Sequence, residues 1–230
     1  MRRLNLRLAR NYQGILGGIA EVCARTGRDP AEVTVVAVSK TVGTAEVAAA
    51  IAAGIHDFGE NRTALFNEKR DAFPHERWHF IGSIQTNKVK DFVGRAALVH
   101  SVASERALLA IARRAQSLGV VQKLLLQVNV SGEKSKDGIT PEALWGLLER
   151  ASELGGITVQ GLMTMAPQGD PRIARAVFRG LREMRDRCVA RGGWGGNIRL
   201  DELSMGMSED YPHAIEEGAT IVRIGRSIWA

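Results

Sequence analysis

Little in this sequence would divide, anchor or cross-link it. No Pro- or Ser-rich stretch and no low-complexity tract interrupts its 230 residues, so a single domain, 1–230, is expected. The 45% hydrophobic content is enough for one sizeable core. No apolar run approaches the roughly 18 residues that a bilayer-spanning helix needs. The basic N-terminus lacks the clean apolar segment of a signal peptide; Leu4, Leu6, Leu8, Tyr12, Ile15, Leu16, Ile19 and Val22 fit an amphipathic first helix instead. No membrane partner is expected. Cysteine is scarce as well. Cys23 and Cys188 stand far apart and form no C-x-x-C pair, which fits a reducing cytoplasm.

Acidic residues are outnumbered, 25 against 31 basic, for a net charge of +6. Nucleic acid must therefore be weighed as a partner. The most regular basic row is Arg172, Arg175, Arg179, Arg182 and Arg185, which lies on one helical face opposite Ile173, Val177, Leu181, Met184 and Cys188. No aromatics interleave with the row, as a single-strand-binding surface requires. It reads as the solvated face of an outer helix, with no nucleic-acid partner.

What the chain does have is alternation. Strands are expected at 33–39, 56–59, 78–81, 97–102, 123–130, 157–163, 201–205 and 220–224. Helices are expected between them at 44–53, 61–71, 86–93, 104–118, 140–154, 170–190 and 208–217, with Thr44 as a plain cap and Pro141 at a first helical position. Near-continuous apolar strands such as "LLLQVNV" imply a parallel sheet covered on both faces. Eight such units favour an α/β fold, a single (β/α)8 TIM-type barrel with an extra N-terminal helix, over an open doubly wound sheet.

Two motifs mislead. "HERWH", His75 to His79, matches a zinc-protease pattern but runs into a strand, where residues four apart sit about 13 Å from each other, too far for one metal. No metal is expected. "GGWGGN", Gly192 to Asn197, lacks the ending of a P-loop and reads as a connection.

In a barrel, chemistry gathers at the C-terminal ends of the strands. "VTVVAVSK" places an amine, Lys40, at the outlet of the first strand. Glycines after the last two strands offer backbone N–H groups to a phosphate. A partly desolvated lysine facing a phosphate site suits an aldehyde that carries a phosphate, and pyridoxal 5′-phosphate (PLP) is such a molecule. A surface lysine fits the spacing equally well.

The segments "VAVSKT", "FGENR", "WHFIGSIQTNK", "QVNVSGEKSKDGI", "GLMTM" and "LSMGMSEDYPHAIEEGATIVRIGRSIW" run in order through nearly the whole chain. They resemble the pyridoxal phosphate homeostasis protein family, which is similar to the N-terminal barrel of alanine racemase. The resemblance implies PLP as cofactor, with Lys40 as the Schiff-base lysine. It implies that Ser208 and the backbone around Gly225 and Arg226 hold the phosphate, with Ser204, Met205, Gly206 and Met207 lining that side. Arg223 would face the pyridine nitrogen, Asn61 the ring hydroxyl, and His79 the cofactor's rim or face. An arginine at the pyridine nitrogen only donates, so it disfavours a protonated ring and makes the cofactor a poorer electron sink. Arg226 stands where the family usually has a small hydroxyl residue, and its guanidinium is a candidate partner for the phosphate.

Racemisation needs a second base, a tyrosine that the racemase brings from another domain. This chain has only Tyr12 and Tyr211. The resemblance therefore implies a monomeric carrier without turnover that delivers PLP to apo enzymes. A low-activity amino acid racemase is the alternative. Lys134 or Lys136, in the loop after the fifth strand, is a candidate to accept the aldehyde during transfer.

Overall fold

Eight strands whose apolar runs demand cover on both faces close into a parallel barrel in sequence order, and β8 returns to pair with β1. The computed structural model describes residues 2–133 and 136–230. The strands are β1 (Thr34–Val38), β2 (Asp57–Glu60), β3 (Arg77–Phe80), β4 (Leu98–Val102), β5 (Gln122–Gln127), β6 (Ile157–Met163), β7 (Ile198–Ser204) and β8 (Ile221–Ile224). Helix α1 (Arg2–Thr26) precedes the barrel. Outside it run α2 (Thr44–Ala52), α3 (Thr63–Ala72), α4 (Glu105–Leu118), α5 (Ala143–Ser152), α6 (Pro171–Arg191), α7 (Tyr211–Glu216) and α8 (Arg226–Trp229). No helix among the described residues is long and apolar enough to cross a membrane.

The main core lies between strands and helices. Alternate strand residues turn inward, and Val36, Leu98, Leu125, Met163 and Ile221 form a second, smaller apolar cluster within the barrel.

Several details differ from expectation. β7 starts at Ile198, three residues early, because the register between β6 and β7 shifts between Val159 and Gly161. A side chain at Gly161 would fall on the Glu202 carbonyl, so only glycine permits this approach. The segment expected as helix 86–93 is a 3-10 turn, Thr86–Asp91. The cap of α2 is Gly43, not Thr44; the Gly43 N–H donates to Glu46 Oε2 at 3.1 Å. α5 begins at Ala143, after Pro141.

The arginine row of α6 is also not simply solvated. Arg175 Nε and Arg179 Nη2 donate to Glu217 Oε1 at 2.9 and 3.0 Å, and Arg182 Nη1 lies 2.9 Å from Oε2. The Glu217 side chain is only 4% exposed, so three of the five arginines hold one buried carboxylate at the C-terminal end of α7 and dock α6 against that helix. The guanidinium partners hold that carboxyl below its usual range in spite of its burial. Glu217→Gln is expected to cost about 1 kcal/mol, since the arginines themselves stay half-solvated and screened. Urea unfolding of the two proteins in low and in molar salt should show this gap narrowing as salt rises.

Candidate cofactor site

Side chains alternate along a strand, so Val38 and Lys40 leave β1 on the same side. Both line a cavity of about 270 Å³ at the C-terminal mouth of the barrel. That is near the lower end of small-molecule sites, which run from about 300 Å³ upward. The root of Lys40 is held on both sides. Trp229 Nε1 donates to the Val38 carbonyl at 2.7 Å. Lys69 Nζ donates to the Ser39 carbonyl at 2.7 Å and also to the Glu60 carboxylate. Ser39 Oγ donates to Glu60 Oε1 at 3.0 Å, and the Asn61 N–H to Glu60 Oε2 at 3.1 Å. The Lys69 and Glu60 side chains are 1% and 0% exposed. A wholly buried ion pair between α3 and β2 thus grips the residue before Lys40.

Across the mouth, the turns after β7 and β8 meet. Ser208 Oγ accepts from the Gly225 N–H at 3.3 Å and the Ser227 N–H at 3.5 Å. These long bonds gather a hydroxyl and two N–H groups at one point, the donor set an oxyanion requires. Arg226 donates to Glu209 Oε1 at 2.6 Å, so its charge is engaged by a carboxylate. Arg223 is buried at the cavity floor; Nη1 donates to Ser204 Oγ at 2.6 Å and Nη2 to the Thr164 carbonyl at 3.0 Å. Burial lowers its pKa to about 10, opposed by the Asp210 carboxylate, so it stays a cation at neutral pH.

Of the residues singled out from sequence, Lys40, Met207, Ser208, Arg223, Gly225 and Arg226 share the cavity. Ser204 and Met205 lie buried behind it, Ser204 against Arg223 and Met205 in the main core. Gly206 makes the turn that follows them, with φ +92°. Its carbonyl accepts the Arg223 N–H at 3.0 Å, and an added Cβ would stand 2.6 Å from Ala214 Cβ and 3.0 Å from Tyr211 Cα. Gly206→Ala is expected to cost about 2–4 kcal/mol through strain and overpacking, read as a lower urea midpoint. Asn61 lines a neighbouring recess with Arg62 and Lys88, and its Oδ1 is buried without a hydrogen-bond partner.

His79 is a correction. It does not line the cavity. It turns into the barrel lumen, with Nε2 3.1 Å from Asp57 Oδ1 and Nδ1 2.9 Å from His100 Nε2. Its position within β3, opposite Gly59 and Leu98, keeps it below the mouth. Lys134 lies outside the described residues. Lys136 Nζ donates to the Ala166 carbonyl at 3.0 Å, next to Pro167 of the cavity wall. Glu60 and Thr164 stand in the segments "FGENR" and "GLMTM" but were given no role, and sequence reasoning missed Lys69, Asp57 and His100. His100 left a signal, a single imidazole within the strand "LVHSV".

This fold and rim define a barrel of the racemase type, and the family described as "Alanine racemase, N-terminal domain" matches residues 19–230. Among curated relatives, the pyridoxal phosphate homeostasis protein of Aquifex aeolicus is 42% identical over 214 residues, 92% of this chain and 92% of that protein. A protein of unknown function from Bifidobacterium adolescentis has a TM-score of 0.94 at 33% identity, covering 99% of this chain and 96% of that one. PipY of Synechococcus elongatus, solved with PLP bound, has a TM-score of 0.80 at 34% identity, covering 92% and 100%. The chain belongs to the pyridoxal phosphate homeostasis protein family.

The residues present fit PLP. A primary amine faces an oxyanion cradle across the cavity, and a buried cation sits at its floor.

Proposed function

We propose that this protein binds PLP at the mouth of the barrel and serves PLP homeostasis, holding the cofactor reversibly and releasing it to apo enzymes in the cytoplasm. The observation that carries this is that Lys40, Ser208 and Gly225 line one cavity of PLP scale, with the Ser227 N–H turned to the same Ser208 hydroxyl. When bound, PLP supplies an aldehyde that condenses reversibly with a primary amine and can be passed to another. Lys40 provides the amine, and the buried clamp on Ser39 orients it. Ser208 and the N–H groups of Gly225 and Ser227 bind the phosphate. Arg226 is drawn to Glu209 and so tempers the positive charge at that edge. Arg223 donates toward the pyridine nitrogen.

The protein acts as a carrier rather than a catalyst. Neither Tyr12 nor Tyr211 is among the residues lining the cavity, and Tyr211 packs toward Gly18 of α1. A monomer suits a carrier that must present its mouth to many recipients. Borohydride reduction after incubation with PLP, followed by peptide mapping, should fix one pyridoxyl group on Lys40. Label spread over surface lysines would overturn the reading. Incubation with amino acids in deuterated water should show no α-proton exchange beyond that of free PLP, whereas clear exchange would restore the racemase alternative.

A further inference from the structure

The barrel lumen carries a chain of polar groups that the carrier function does not by itself require. Asp57 of β2, His79 of β3, His100 of β4, Ser204 of β7 and Arg223 of β8 are all buried among apolar neighbours. Consecutive contacts are 3.1 Å (Asp57 Oδ1 to His79 Nε2), 2.9 Å (His79 Nδ1 to His100 Nε2), 2.8 Å (His100 Nδ1 to Ser204 Oγ) and 2.6 Å (Ser204 Oγ to Arg223 Nη1). At the far end Arg77 grips Asp57, with Nε 2.6 Å from Oδ1.

The hydrogens follow from the partners. Hydrogen bonds from His79 and Arg77 outweigh burial and keep Asp57 ionised, so its carboxylate only accepts. His79 Nε2 must then carry a hydrogen. From the other end, the Arg223 guanidinium only donates to Ser204 Oγ, so the Ser204 hydroxyl hydrogen is directed at its other contact, His100 Nδ1, which must be a bare lone pair. Burial pushes His100 far from its charged form, so its one ring hydrogen sits on Nε2 and is donated to a bare His79 Nδ1. The Ser204 oxygen is left with lone pairs for Arg223. Every hydrogen in the row points from Arg223 toward Asp57, and moving one of them alone sets two donors or two lone pairs face to face.

We propose that His79, His100 and Ser204 are positioning residues that act through this row to fix Arg223 as the donor facing the pyridine nitrogen of PLP. The proposal rests on the PLP reading above. Ser204 pins Nη1 and the Thr164 carbonyl pins Nη2, so the guanidinium cannot swing and its remaining N–H groups serve the cavity it lines.

Two measurements test it. The first needs no cofactor. Multiple-bond 15N NMR of the apo protein at neutral pH should show the ring hydrogen of His79 and of His100 on Nε2, with each Nδ1 a bare lone pair. In Ser204→Ala the His100 Nδ1 resonance should move toward that of a free imidazole nitrogen while His79 keeps its tautomer. A charged His100, or one with its hydrogen on Nδ1, overturns the row. The second is PLP retention by equilibrium dialysis. Ser204→Ala is expected to weaken it about tenfold, with the 15N resonance of bound labelled PLP shifted at the pyridine nitrogen, and Ser204→Thr to restore both. Unchanged retention and an unchanged pyridine resonance in Ser204→Ala overturn the positioning role. If the wild-type protein retains no PLP, the functional reading fails, and the apo spectra still decide the row.

Discussion

Lys69→Met is expected to lower the unfolding free energy by about 3–5 kcal/mol, because it leaves the Glu60 carboxylate buried without its countercharge. Urea titration monitored by tryptophan fluorescence reads this directly. The same substitution removes the N–H donor on the Ser39 carbonyl, so PLP retention should fall too. The two effects can be separated. Glu60→Leu with Lys69→Met replaces the pair by apolar groups of similar size, and such replacements are often neutral in stability. The double variant should recover most of the lost stability yet still hold PLP more weakly, since the Ser39 carbonyl then lacks its buried donor. Full recovery of both would mean that the buried pair does no more than fill space.

Lys40→Ala is expected to abolish the borohydride-fixed label and to weaken PLP retention by about 3 kcal/mol, roughly a hundredfold. Retention does not vanish, because the cradle at Ser208, Gly225 and Ser227 lies on the opposite turns and is untouched. Lys40 is exposed and shares no contact with the buried clamp, so the variant should unfold at the wild-type urea midpoint without ligand. With PLP present the proteins should part. Wild type gains about 2.7 kcal/mol at a ligand concentration one hundred times its Kd, and the variant gains a small fraction of that at the same concentration. A variant stabilised as much as wild type would remove Lys40 from the site.

The barrel was legible because its signals are local. All eight expected strands are present, since runs such as "LLLQVNV" and "ITVQGLM" can only be buried ones. Strand ends were less secure. β7 is lengthened by a register shift that depends on Gly161 in a different strand, which no window around "NIRLDELS" contains. For the site, Lys40 and Ser208 stand at strand outlets, where the order of elements alone brings them to one rim. His79 faces the lumen as an inward strand residue should, but how far below the mouth it sits depends on its register against Gly59 and Leu98 of the neighbouring strands, which the segment "WHFIG" does not carry. The Glu60–Lys69 pair joins a strand outlet to an outer helix face, and its lysine looks like any helical surface lysine until the packing is known. Arg226 was expected as a partner for phosphate, yet Glu209 already occupies it; neither outcome follows from composition.

The polar row through the lumen also bears on how the chain folds. Its members come from β2, β3, β4, β7 and β8, so no contiguous half of the sequence can satisfy it. A barrel open between β4 and β7 would strand His100 and Ser204 without each other in an otherwise apolar interior. Such half-satisfied groups cost more than none. Partly closed intermediates are therefore penalised, and joining the two ends of the sequence becomes an all-or-none event. A row that serves a ligand at the mouth thus doubles as a source of cooperativity for the whole sheet.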